Sequence, residues 1–181
     1  MRFRPSLPLL FASSVCASGA ALAATTMTLV GAVTDQTCEV SLNGQATPIV
    51  LLPAVPVAQL QAPGSRAGLT PLTLTMIHCT APAEAVQLTT WFMGRGVTTA
   101  GNLGNFAPAK KAQNVAIQLT EDAAGTQPIN LANGVAATTG PVLAAGQHSA
   151  SHTYAAQYYS HAGNAEAGAV QAIVEYVISY L

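Results

Sequence analysis

Apolar residues in this chain come in short, interrupted runs, and several of those runs alternate with polar residues at a period of two. Leu72-Thr73-Leu74-Thr75-Met76-Ile77 begins as such an alternation and ends at Cys79. Residues 86–93 (VQLTTWFM) form a second run, stopped by Gly94 and Gly96, and residues 114–119 a third, broken at Glu121-Asp122. Ile129-Asn130-Leu131 reads as a short strand between Pro128 and Gly134, with residues 152–159 and 170–180 as the last two. A period of two puts successive side chains on opposite faces, so adjacent Trp91 and Phe92 are expected as surface and core of one strand. Gly and Pro punctuate the intervals, and residues 98–111, which hold Gly101, Gly104 and Pro108, read as a loop. Alanine is abundant, yet no stretch sustains apolar residues at i, i+3, i+4, i+7 between breakers. About seven short strands with frequent turns predict an all-β sandwich.

The last run is the most informative. Gly168, Val170, Ala172, Val174, Tyr176, Ile178 and Tyr180 fall on one parity, uniformly apolar or small, while the opposite face is mixed. An extended segment of that length spans roughly 40 Å and has no internal Pro or Lys, so it needs a neighbour on each side. Residues 24–33 (ATTMTLVGAV) place Met27, Leu29 and Gly31 on one parity ahead of the first mature cysteine. Such a segment fits the first strand of its own domain, and equally a free arm that completes a neighbour's sheet by strand addition.

Charged residues make up only 7% of the chain against 50% hydrophobic, far from the roughly 25% charge of an ordinary soluble domain. Beyond the N-terminus there is no apolar run of about 18 residues, so a membrane span is not expected. Sparse charge then points to a β-rich extracellular protein with a Thr, Ser, Asn, Gln and Ala surface. A net charge of −1, with Lys110-Lys111 the one basic pair after the N-terminus, gives no case for nucleic acid. Arg2 and Arg4, the apolar residues 7–15 and Ala21-Leu22-Ala23 form a secretory signal over residues 1–23. Cys16 follows Val15, not the small residue that usually precedes a lipidated cysteine.

Cys38 and Cys79 remain, an even pair in an exported chain, which reads as a disulfide in an oxidising compartment. It would stabilise the fold by roughly 4 kcal/mol in the chain-entropy model. A zinc site fails on ligand count, since His78 beside Cys79 cannot complete a four-ligand set. His148 and His152 have i, i+4 spacing but sit in sequence that looks extended or looped. There is no G-x-S-x-G or HExxH motif, and Glu121-Asp122 lacks a second catalytic group. No catalytic residue, metal or cofactor is expected.

Several strings together resemble the type 1 fimbrial, chaperone–usher pilin family, and major subunits in particular. They are GAVTDQTC (31–38), the spacing on to Cys79, AGLTPLTLTMIHC (67–79), WFMG (91–94), AQNVAIQL (112–119) and YAAQYYSHAGNAEAGAVQAIVEYVISY (154–180). Their order, with Gly168 fourteen residues from the end and Tyr180 penultimate, makes the signal specific. The resemblance implies an incomplete immunoglobulin-like sandwich completed by a donor strand from a neighbouring subunit. It divides the chain into a signal peptide (1–23), a donor-strand arm (24–33) and a pilin domain (34–181). Thr25, Met27, Leu29 and Gly31 would be the donor face. Gly168, Val170, Ala172, Val174, Tyr176, Ile178 and Tyr180 would line the groove that binds first a periplasmic pilus chaperone and then, at an outer-membrane usher, the next pilin subunit. The implied function is a structural subunit of an adhesive pilus, exported through the periplasm to the cell surface. One departure stands out: cleavage after Ala23 leaves a short arm ahead of Gly31, with Thr25 where a Gly is common. Either cleavage falls after Ala20, or the arm fills fewer pockets, as would suit a minor or terminal subunit. The competing account is a free-standing secreted immunoglobulin-like binding module, which would fold alone.

Overall fold

A computed structural model describes residues 38–180. Seven strands follow in order: β1 (Glu39–Leu42), β2 (Ser65–Ile77), β3 (Val86–Gly94), β4 (Ala116–Thr120), β5 (Val135–Leu143), β6 (Ala150–Ser160) and β7 (Val174–Ser179). They form two antiparallel sheets, β1-β2-β6-β4 and β5-β3-β7. The one described helix is a single 3-10 turn, Val57–Leu60.

The alternation predicted from sequence governs the core. Leu72, Leu74 and Met76 of β2 turn inward, with Ile117 and Leu119 of β4 and Tyr154 and Ala156 of β6 on the same sheet. Leu88 and Phe92 of β3 and Leu143 of β5 face them from the other sheet. Phe92 meets Tyr154 edge-on, ring centroids 5.1 Å apart. The Tyr154 hydroxyl is hydrogen-bonded to Thr90 Oγ1 (2.7 Å) and to the Thr139 carbonyl (3.0 Å), so a buried polar group is satisfied while tying the two sheets together. Trp91 points outward and Phe92 inward, as the pattern requires.

The sequence pattern does not mark β1 or β5, and the elements differ from it in three further places. Residues 129–131 are not a strand: Ile129 and Leu131 are buried plugs on a connection, hydrogen-bonded to the Leu119 and Gly101 carbonyls. β2 starts seven residues before Leu72, through Gly68 and Pro71. Gly68 has φ +68°, and a Cβ there would collide with the Tyr158 ring. Pro71 is tolerated because β1 pairs only with Leu74–Ile77, leaving that stretch of β2 an edge on one side. The last strand is also short, Val174–Ser179, because Ala169 and Gln171 before it bond to the 105–112 loop instead of to a strand.

Cys38 and Cys79 are disulfide-bonded, stapling the start of β1 to the residue just beyond His78 at the end of β2. His148 Nδ1–H donates to the Cys79 carbonyl and His152 Nε2–H to the Glu121 carbonyl, both at 2.8 Å, so the spaced histidine pair serves two separate backbone contacts. Among the described residues no group of three His, Cys, Asp or Glu is placed to hold a metal, and no helix is long and apolar enough to cross a membrane.

Candidate functional site

β7 pairs with β3 on one side, from Gly94↔Val174 to Thr89↔Ser179, and among the described residues no named strand lies on the other. Its inward side chains, Val174, Tyr176 and Ile178, are half-buried, not sealed. Val170 and Ala172 before them and Tyr180 after them continue the same parity and burial. The first five pack against the main buried cluster, and Ile178 and Tyr180 against a second one built on Met76, Cys79, Leu88 and Leu143. Six of the seven predicted groove positions therefore form one continuous apolar strip. Gly168, the seventh, is exposed and serves differently: a Cβ there would strike the Lys110 carbonyl and the Ala112 N–H.

The lower end of the strip is pinned by Asn105. Its Nδ2 donates to the Ala112 (3.1 Å) and Ala169 (2.9 Å) carbonyls, and its Oδ1 accepts from the Ala107 (2.9 Å) and Gln171 (3.1 Å) N–H groups. Main-chain bonds from Phe106 to Gln171, and in both directions between Ala169 and the 110–112 segment, complete the seam.

A second apolar line packs on the same cluster: Val40 and Leu42 from β1, then Val50 and Leu52 from the extended segment after it. Among the described residues, none between Ala46 and Val55 makes a backbone hydrogen bond, although the segment is extended and alternates in burial. Ile49 and Leu51, on its other parity, are each 84% exposed. Unpaired extended backbone beside half-buried apolar side chains is the pattern of a sheet edge that lacks a neighbour. Its period-two pattern, Ile49/Leu51 against Val50/Leu52, is the signal for this segment in the sequence. Nothing in the sequence marks Asn105 among its neighbouring loop residues.

Electrostatically the strip is neutral. Its only titratable groups are the Tyr176 and Tyr180 phenols, and burial raises both above the ordinary tyrosine value. The site thus suits an uncharged extended chain and offers no nucleophile, base or metal ligand. The predicted donor positions Thr25, Met27, Leu29 and Gly31, the signal segment and its cleavage point lie outside the described residues.

Known proteins with this sequence pattern are pilus components. The chain is 37% identical over 158 residues to the F17 fimbrial protein of Escherichia coli, covering 85% of this chain and 86% of that one. It is 35% identical over 160 residues to the major fimbrial subunit SMF-1 of Stenotrophomonas maltophilia, covering 86% and 91%. Its fold matches the P pilus rod subunit PapA with a TM-score of 0.55 at 18% identity, over 80% of this chain and 99% of that one. Residues 24–181 match the family model described as fimbrial protein. An all-β, immunoglobulin-like pilin sandwich and a match across the whole pilin region agree: this chain belongs to the fimbrial protein family, whose members are structural subunits of surface pili.

Proposed function

We propose that this subunit joins its neighbour by strand exchange, with the strip on β7 as acceptor and the segment ahead of Cys38 as donor. One observation carries the reading. Two extended segments, residues 174–178 of β7 on the edge away from β3 and residues 46–55, have no strand neighbour among the described residues, while their half-buried side chains pack on one core. An inserted strand would satisfy main-chain groups on both and cover Val170, Ala172, Val174, Tyr176, Ile178 and Tyr180. Thr25, Met27, Leu29 and Gly31 share the parity such a strand needs. Each Met or Leu buried would contribute roughly 1.5–3 kcal/mol, with the ladder bonds in addition. Because donor and acceptor are different surfaces, the contact is head-to-tail and does not close, giving a fibre. Until the neighbour arrives, a periplasmic chaperone supplies a strand, and an outer-membrane usher is where the two are exchanged. The fibre so formed is a cell-surface pilus that contributes to adhesion.

The test is expression of residues 24–181 in a periplasm with and without a pilus chaperone, followed by an unboiled denaturing gel. Chaperone-dependent yield and a heat-sensitive ladder of multimers are expected. A well-folded monomer obtained in good yield without chaperone would overturn the proposal in favour of a self-sufficient secreted binding domain.

A further inference from the structure

The outward face of the β5-β3-β7 sheet carries a second, unrelated surface. Strand register places Ala137, Trp91 and Val177 in one row across it and Val135, Met93 and Glu175 in the next. The ladder continues through the Arg95 N–H bonded to the Ile173 carbonyl, which sets Ile173 and Arg95 at the end of the face. Trp91 (42%), Val177 (52%) and Val135 (42%) are strongly exposed for their type, and Met93 and Ile173 only slightly less so. Toward the other end the apolar rows give way to Thr89 and Thr139. Five large apolar side chains thus lie in one continuous stripe, in a protein with 7% charged residues. Such a stripe is at the size where monomers cease to leave apolar surface open without a use, a few hundred Å².

Charge identifies the occupant. Glu175 and Arg95 are both exposed, lie on neighbouring rows of this stripe, and enter no ion pair among the described residues. A surface with one acid and one base side by side at one end of an apolar stripe is complementary to itself when a two-fold axis brings the acid of one copy over the base of the other. We infer that this face packs on the same face of a second copy of the chain, sheet against sheet, with Trp91 at the centre and Glu175 of each copy opposite Arg95 of the other. Facing sheets pack about 10 Å apart, close enough to bury both indoles. The contact is isologous, unlike the head-to-tail joint proposed above, and does not rest on it. At a few hundred Å² per copy it falls short of the roughly 800 Å² per partner of a stable free dimer. It gains strength when many copies are already held in a row, so its consequence is side-by-side association of assembled fibres.

Trp91 is the single tryptophan, so acrylamide quenching of its fluorescence reads this face directly. In wild-type fibres quenching should fall as concentration rises, in step with light scattering from lateral bundles. Glu175→Arg or Arg95→Glu alone should weaken bundling about tenfold, and the double reversal should restore it. Quenching independent of concentration would overturn the inference, as would single reversals without effect or a double reversal that does not rescue. Should no heat-sensitive ladder form, the strand-exchange proposal fails on its own. The same quenching titration on copies of the chain tethered side by side on a common scaffold then decides this one.

Discussion

Gly168 shows how much a single missing Cβ can determine. It closes the seam between the start of the apolar strip and the 110–112 backbone, where any side chain would meet the Lys110 carbonyl and Ala112 N–H. Gly168→Ala should destabilise the folded, strand-complemented subunit by about 1–3 kcal/mol, read by chemical denaturation, because backbone cannot yield as a flexible side chain would. Tyr154 makes the opposite kind of contribution, a buried hydroxyl that is worth keeping because both its partners are in place. Tyr154→Phe leaves Thr90 and the Thr139 carbonyl without it and should cost about 1–2 kcal/mol. Burial raises the Tyr154 phenol above its ordinary value of 10.0. A raised tyrosine pKa means the stabilisation is complete below pH 10 and is lost as pH climbs through the folded-state value. Wild-type stability should therefore fall on the alkaline side with a component that Tyr154→Phe removes, measured as denaturation midpoints against pH.

At the scale of elements, the apolar strip on β7 is anchored by parts that do not line it. Asn105 ties the 169–171 backbone to its own loop with four hydrogen bonds, two to Ala169 and Gln171 and two to Ala107 and Ala112, so Asn105→Ala should loosen the strip's lower end while leaving β7 paired with β3. Faster amide exchange confined to residues 168–173 is the expected signature; uniform loosening of the whole sheet would contradict it. The disulfide acts at the other end, closing the loop from Cys38 to Cys79. Cys38→Ala with Cys79→Ala should lower stability by roughly 4 kcal/mol and reduce the yield of folded subunit.

The parts that sequence reveals and those it hides divide along the same line. β2, β3, β4 and β6 were legible because one face of each is buried, and burial imposes alternation on the residues themselves. β5 was missed: its Ala136, Ala137, Thr138 and Thr139 carry little contrast, and Gly140-Pro141 looks like a turn. An edge strand tolerates that proline, and edge position is not written in local sequence. The strip on β7 was legible as a parity pattern from Val170 to Tyr180. Its division into a six-residue strand and a looped lead-in was not, because that depends on Asn105, distant in the chain.

For the whole molecule, the decisive property is a sandwich whose core is flanked by two half-buried apolar lines, one on β7 and one on the segment after β1. On the proposed reading a subunit of this kind would carry its own assembly information: an acceptor strip that is apolar and neutral, and a donor parity ahead of Cys38. Low charge over the rest of the surface then lowers the cost of bringing many copies together. The most direct measurement is cysteine cross-linking between copies. One copy carries Leu29→Cys in the arm, and the other carries a single cysteine at Val174, Glu175, Tyr176, Val177 or Ile178. The account predicts covalent links between the two different copies at positions 174, 176 or 178, with little at 175 and 177, whose side chains face outward. Links with no such parity, or links formed only within one copy, would contradict strand exchange as the joint between subunits.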